Sequence, residues 1–472
     1  MTLDIIATDV LVLGAGLAGM RAAWAALESD PNLVVTVVSQ RFSPSGSSFA
    51  NINDKLGMQV CLTDRERETF VREAVSIAPP GYIDPVLVRI LAEESEARFR
   101  DLEGIGFPFD QDDRGEYFRA MGCFSPVEKR AFIFSGLGAA FEKLKEKFLS
   151  LGGHFFEGWL IQDIIKDYSG ESSGVCGAVL QKAAGKEKLA IRASSVIVAL
   201  GGPASLFPRN VSGPGTHGVA HALLERAGAV LVNAAYIQFL WHTIPFFKFW
   251  PIHAFLNKSA QIRNPQGDVR SVPEELFELS RERSTHCPIG YGTKDTAIDQ
   301  LFIENLNPNG EVDVFDSQNG WRTIALMAHA GNGGSKIDEN AWTGVDGLYA
   351  CGESAGGMHG ANRIGGAMVT GTQVFGARAG KAAAKRAGES APMDETLFSR
   401  FATRIIETQM ENEKERREIL PWLHRGMQAF GIMGGRPGLD HFMHACLEKS
   451  ASARDWRLKL ALEAAIIIGM GK

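Results

Sequence analysis

The chain has few cysteines, no excess of basic residues and no long apolar run, and each shortage removes a class of function. Its six cysteines, Cys61, Cys123, Cys176, Cys287, Cys351 and Cys446, are scattered, with no C-x-x-C pair. That spacing does not suit a zinc site or an iron–sulfur cluster built from this chain alone, so no metal site is expected. Scattered thiols fit a reducing compartment. Lys and Arg number 49 against 55 Asp and Glu, a net charge of −6, whereas a nucleic-acid surface would be basic. No apolar stretch approaches the roughly 20 residues that a bilayer requires. The first apolar strand follows without a basic segment or cleavage site, so a cytoplasmic location is expected.

Glycine, by contrast, is abundant, at 52 of 472 residues. It clusters after apolar stretches, where bare backbone suits close approach to a ligand. The length exceeds what one core usually holds, so two or three domains are expected. Asp9-Val10-Leu11-Val12-Leu13 is an apolar run ending at Gly14, as in a strand buried on both faces. Alanine-rich Leu17 to Leu27 then reads as a helix and Leu33 to Val38 as a second strand, a βαβ unit of about 30 residues. Apolar runs at Ser195 to Ala199 and Gly347 to Ala350 read as further strands, each leading into glycines. From Tyr236 to Ala330 Trp, Phe, Pro and His replace that pattern, as in an inserted domain. Beyond Glu395 the chain is charged and helical.

Gly14-Ala15-Gly16-Leu17-Ala18-Gly19 is a G-x-G-x-x-G between strand and helix. The first glycine permits a tight turn, the second lets backbone reach a pyrophosphate, and the third lets helix and strand pack closely. The helix N-terminus offers free N–H groups and partial positive charge to phosphates. The second strand ends in Ser39-Gln40-Arg41, without the acid that usually binds ribose hydroxyls. Arg41 could suit a 2′-phosphate, as in NADP, or simply be solvated. Val198-Ala199-Leu200-Gly201-Gly202 resembles the second FAD strand of two-dinucleotide-fold flavoproteins. Gly347-Leu348-Tyr349-Ala350-Cys351-Gly352-Glu353 resembles the third, whose acid binds the ribityl chain.

His359-Gly360-Ala361-Asn362-Arg363-Ile364-Gly365-Gly366 and Val374-Phe375-Gly376-Ala377-Arg378-Ala379-Gly380 resemble a block of the succinate dehydrogenase/fumarate reductase flavoprotein and L-aspartate oxidase family. The resemblance implies FAD as cofactor and Arg363 as the grip on a substrate carboxylate, a task suited to a planar, permanently charged fork. It implies a helix from near Ala367 and Met368 aimed at the flavin. His329, in an H-x-x-x-G-G pattern, and His242, in a slipped Q-F-H-P-T pattern, would donate hydrogen bonds to substrate oxygens. Lys294 of Thr293-Lys294-Asp295 stands where the family's proton-donating arginine would be, and burial can tune a lysine.

Departures accompany the likeness. The family's substrate-holding T-E…R-G-E-G-G segment would fall near Ile252 to Ser259, where its acid and arginine are missing. Its Q-G-G has become Asn51-Ile52-Asn53, and its G-D-G has become Thr216-His217-Gly218. The loop Ser43 to Ala50, with Gly46, Ser47 and Ser48, carries serine where respiratory members carry a flavin-bonded histidine, so non-covalent FAD is expected.

The expected architecture is α/β. A Rossmann-like FAD-binding domain (1–235 and 331–390) would carry an inserted α+β cap (236–330) and a short C-terminal helical region (391–472). The expected activity is hydride transfer between flavin N5 and a small carboxylate-bearing substrate, fumarate- or succinate-like or an amino acid. Alternatives are an electron-transfer subunit working with an iron–sulfur partner, and a flavin-binding protein that has lost catalysis.

Overall fold

The computed structural model describes residues 3–42, 44–167, 174–390, 393–432 and 438–471; Ser43 of the serine-bearing loop lies outside them. Its centre is a seven-stranded sheet. The strand Asp4–Leu13 lies between Val35–Ser39 and Lys188–Val198 and runs parallel to both. Val10 to Leu13 are wholly buried, because helices and loops cover both faces; hence the unbroken apolar run. Leu348–Ala350 runs parallel beside the end of Lys188–Val198, while the beginning of that strand pairs antiparallel with Gly174–Lys182.

Register explains why three distant motifs meet. Leu13 sits opposite both Val38 and Val198, and Val198 sits opposite Ala350. All four strands therefore end level, and the loops that follow them emerge at one carboxyl edge, where parallel sheets place their ligands.

The helix Leu17–Ser29 lies on this sheet, and the long helix Ala367–Glu389 packs along it. A β-carbon on Gly380 would stand 2.1 Å from the Ala22 carbonyl oxygen, and one on Gly376 2.8 Å from that of Ala18. Four residues apart, the two glycines share one helix face. The block Val374 to Gly380 is thus a helix–helix contact.

A second, six-stranded antiparallel sheet is built largely from residues 237–331. Ile237–Ile244 pairs with Lys248–Phe249 on one side and Gly320–Gly331 on the other, with a bulge between Gln238 and Phe239. Its apolar core holds Phe239, Trp241, Phe255 and Phe302, and is shared with Leu423, Met427 and Leu462 from the C-terminal helices. The helix Trp456–Met470 serves both bodies, since its Trp456 and Leu460 belong to the core of the first sheet. Among the described residues no helix is long and apolar enough to cross a membrane.

A three-stranded sheet of Lys55–Gln59, Arg119–Gly122 and Ser125–Ser135 stands beside these. Its hairpin turn bridges two regions. The Gly365 N–H donates to the Cys123 carbonyl, and the Phe124 N–H donates to that of Thr285, each at 2.9 Å.

Candidate active site

A cavity of about 440 Å³ runs from the carboxyl edge of the parallel sheet to the second sheet. Gly14, Ala15, Gly16, Leu17 and Ala18 line its beginning, and Ser39 and Gln40 flank them. Gly46, Ser47 and Ser48 contribute from the short helix Gly46–Phe49, and Ala199, Leu200 and Gly201 from the loop after Lys188–Val198. Gly352, Glu353, Met368 and Arg363 complete the wall, with His242 and His329 at the second sheet. Three residues singled out in the sequence do not line it: Gly19, Ala367 and Lys294.

The three motif glycines divide by function. A β-carbon on Gly14 would come within 2.2 Å of the Ala199 carbonyl oxygen, and one on Gly19 within 1.9 Å of that of Gly14. Gly14 moreover has φ of +113°, which side chains rarely adopt. Both are pinned by backbone. Gly16 is not: its β-carbon would meet only Ser48 Oγ, at 3.4 Å. No protein atom explains its bareness, and it has no side chain with which to cap the helix it begins, where the Leu17 N–H donates to Ser48 Oγ at 3.3 Å. A phosphate accounts for that bareness.

Further along, Glu353 is buried and accepts a hydrogen bond of 2.7 Å from Ser47 Oγ. Burial raises its carboxyl pKa. Asn51 is buried too, accepting from the Asn53 N–H at 3.0 Å while its own Nδ2 has no partner among the described residues. Arg41 lines the cavity with its side chain exposed. The donors, the bare glycine and the elongated shape fit an FAD laid along the motifs.

At the other end stands Arg363, 5% exposed. Its Nε donates to Asn332 Oδ1 at 3.2 Å, Nη1 to the Ile364 carbonyl at 3.3 Å, and Nη2 to Gln238 Oε1. All three acceptors are neutral, and among the described residues no Asp or Glu forms an ion pair with it. Burial lowers its pKa to about 10, so it remains a cation at neutral pH.

The two histidines beside it are neutral. Burial, followed by the charge of Arg363, lowers the pKa of His329 to about 3, and burial lowers that of His242. His329 Nδ1 has no partner among the described residues. His242 differs from the expected donor. Its Nδ1 lies 3.3 Å from the Leu240 carbonyl, which can only accept. The neutral ring therefore carries its proton there, and the unpartnered Nε2 is an acceptor.

Lys294 is exposed, at the start of the helix Thr296–Glu304. Its neighbour Asp295 is wholly buried, 3.1 Å from Arg283 and 3.0 Å from His286. Arg283 also pairs with Asp299 at 2.8 Å, and Asp299 accepts from Trp241 Nε1 at 2.8 Å. This buried network fixes the 283–299 segment against the second sheet.

Sequence reasoning overlooked five cavity or cavity-supporting residues: Asn51, Gln238, Asn332, Cys123 and Cys287. Asn51 was visible only as a departure from a motif. Gln238 and Asn332 stood inside quoted motifs, but their roles arise from folding. Cys123 and Cys287 are 164 positions apart and meet only in three dimensions, where the Cys287 N–H donates to Cys123 Sγ at 3.4 Å.

The FAD_binding_2 family, described as an FAD binding domain, matches residues 9–261 and 252–369. One component of the fumarate reductase (CoM/CoB) of Methanothermobacter marburgensis is 29% identical over 94% of this chain and 85% of its own length. An L-aspartate oxidase of Halobacterium salinarum is 26% identical over 81% of this chain and 76% of its own. The Mycobacterium smegmatis Sdh1 complex contains a chain of the same fold, with a TM-score of 0.80 at 20% identity, covering 99% of this chain and 87% of that one. With a glycine-lined cradle at one end of its cavity and a buried arginine at the other, the chain belongs to the FAD_binding_2 family and is an FAD-dependent oxidoreductase of the fumarate reductase and aspartate oxidase type.

Proposed function

We propose that the protein transfers a hydride between a small carboxylate-bearing substrate and flavin N5, with the substrate held where the parallel sheet faces the second sheet. The observation that carries this reading is that Arg363, a buried cation, makes no ion pair with an Asp or Glu among the described residues, feeling Glu353 only at longer range. A buried cation costs several kcal/mol unless an anion neutralises it, and here its partners are an amide, an amide and a carbonyl. A substrate carboxylate arriving in the cavity would supply the missing charge through a planar two-point contact.

Bound FAD supplies the two-electron redox chemistry. The chain's residues supply position and field. Gly14 to Ala18 would present backbone to the pyrophosphate, and Glu353 and Ser47 would hold the ribityl region. Gln238 and Asn332 hold the Arg363 guanidinium in one orientation. His329 and His242, both neutral, offer ring nitrogens to the polar end of a substrate without adding charge. Lys294, exposed and outside the lining, has no part in this arrangement.

The relative named as one subunit of a fumarate reductase favours a second element of the reading: electrons are exchanged with a separate electron-transfer subunit, an iron–sulfur protein or another. Among the described residues no group of three or more His, Cys, Asp or Glu could hold a metal.

Anaerobic mixing of the oxidised holoprotein with a panel of dicarboxylates and amino acids tests the proposal. Bleaching of the flavin by one of them, or reoxidation of the reduced protein by fumarate or another unsaturated acid, is expected. A flavin indifferent to every carboxylate in both directions would refute it.

A further inference from the structure

We propose that Cys123 and Cys287 form a redox-active dithiol at the substrate end of the cavity, closing to a disulfide as it passes two electrons to bound FAD. In that step the Cys123 thiolate bonds to the Cys287 sulfur as the Cys287 S–H bond breaks. The two sulfurs are oxidised, FAD is reduced by two electrons, and the one proton released goes to the reduced cofactor. Run backwards, reduced FAD opens the disulfide.

Exposure separates this pair from the other cysteines. Cys61, Cys176, Cys351 and Cys446 are buried, whereas Cys123 and Cys287 are each partly exposed, and both line the cavity. These two are also the pair in contact. The 3.4 Å hydrogen bond from the Cys287 N–H to Cys123 Sγ, added to an N–Cα bond of about 1.46 Å, places Cys123 Sγ within about 5 Å of the Cys287 α-carbon. Rotation about the Cys287 side-chain bonds moves its sulfur toward Cys123 Sγ, the approach a disulfide requires.

The surroundings suit thiolate chemistry. Cys123 is held below the ordinary thiol range, chiefly by a hydrogen bond from the Cys287 thiol, then by that from the Cys287 N–H and by the charge of Arg363, against the opposing effect of burial. The Cys287 thiol, the donor of the pair, is pushed up. A thiolate paired with a protonated thiol is the poised state of a dithiol.

Each sulfur also sits on a firm support. Cys123 lies at a hairpin turn bonded to Gly365, two residues before the helix Ala367–Glu389. Cys287 follows His286, whose ring stacks on Phe124 at 4.0 Å and reaches Asp295 at 3.0 Å. A 123–287 bond would therefore tie the hairpin to the second-sheet body across the cavity.

The test uses the intact wild-type holoprotein. It is equilibrated anaerobically with oxidised and with reduced dithiothreitol, alkylated, and mapped by mass spectrometry; separately, the oxidised sample is titrated with dithionite. The expected result is a 123–287 cross-link in oxidised samples alone, and uptake of two electron pairs per FAD, against one pair in Cys287→Ser. Individual alkylation of both thiols in every buffer would overturn the proposal. So would a cross-link accompanied by uptake of only one pair in wild type, since the dithiol would then not communicate with FAD. Neither wild-type measurement depends on the variant folding.

Discussion

Gln238 and Arg363, 125 residues apart, join side chain to side chain, an amide oxygen facing a guanidinium inside the cavity wall. The neutrality of that partner leaves the cation available to a substrate. Gln238→Glu would supply an internal carboxylate of nearly the same shape. Carboxylate ligands should then bind at least tenfold more weakly, about 1.4 kcal/mol, while flavin content is unchanged. Titration of flavin absorbance with dicarboxylates checks this, and undiminished affinity would argue that the substrate anion docks elsewhere.

Arg363→Lys keeps the charge and loses the fork. Loss of preorganised donors of this kind costs on the order of 10²–10³ in turnover. Steady-state kinetics on variant protein with a normal flavin-to-protein ratio should show a fall of that size in kcat/KM. A change below tenfold would mean that charge alone suffices.

Gly16→Ala and Gly19→Ala should fail in different ways. The first adds a methyl that meets only Ser48 Oγ in the protein, so the apoprotein should melt as wild type does while FAD affinity falls at least tenfold. The second drives a methyl onto the Gly14 carbonyl, and overpacking of that kind costs about 1–3 kcal/mol. Apoprotein melting curves and flavin binding separate the two. Equal destabilisation by both would remove the case for a phosphate beside Gly16.

Acid should weaken the fold through buried and half-buried histidines. Burial holds His329 at about 3 and His221 and His424 at about 4, below the roughly 6.5 of an unfolded chain. Between those values the unfolded chain binds more protons, so stability is whole above about pH 6.5 and drains as pH falls toward 4 and then 3. Urea midpoints measured from pH 7 to 4.5 should decline. In His221→Gln, where one buried ring no longer takes up a proton on unfolding, the decline should be shallower.

Lys294→Ala should leave turnover within about twofold of wild type, because the side chain is exposed and does not line the cavity. A large loss at constant flavin content would show that the 290–296 segment moves inward during the reaction.

What could be read from the sequence was local. The turn glycines Gly14 and Gly19, the apolar strand ending at Leu13 and the helix from Ala367 each follow from a few neighbouring residues. Arg363 was legible through its surrounding block, although the block's Gly376 and Gly380 serve helix packing. What escaped was long-range. Nothing near Gln238 says that its amide will orient Arg363, and nothing near Cys123 announces Cys287. The His242 tautomer is set by a carbonyl two residues away, a contact that the slipped motif around it does not announce.

The helix Trp456–Met470 finishes the cores of both sheets. During synthesis, the second sheet's strands leave the ribosome long before this helix does, at about 5–20 residues per second. For those seconds the core that holds Phe239, Trp241 and Phe302 lacks the Leu458, Leu462 and Ile468 that this helix adds to it. The nascent protein thus passes through a stage with greasy surface awaiting its stopper, and crowding or delayed translation there would favour aggregation over completion.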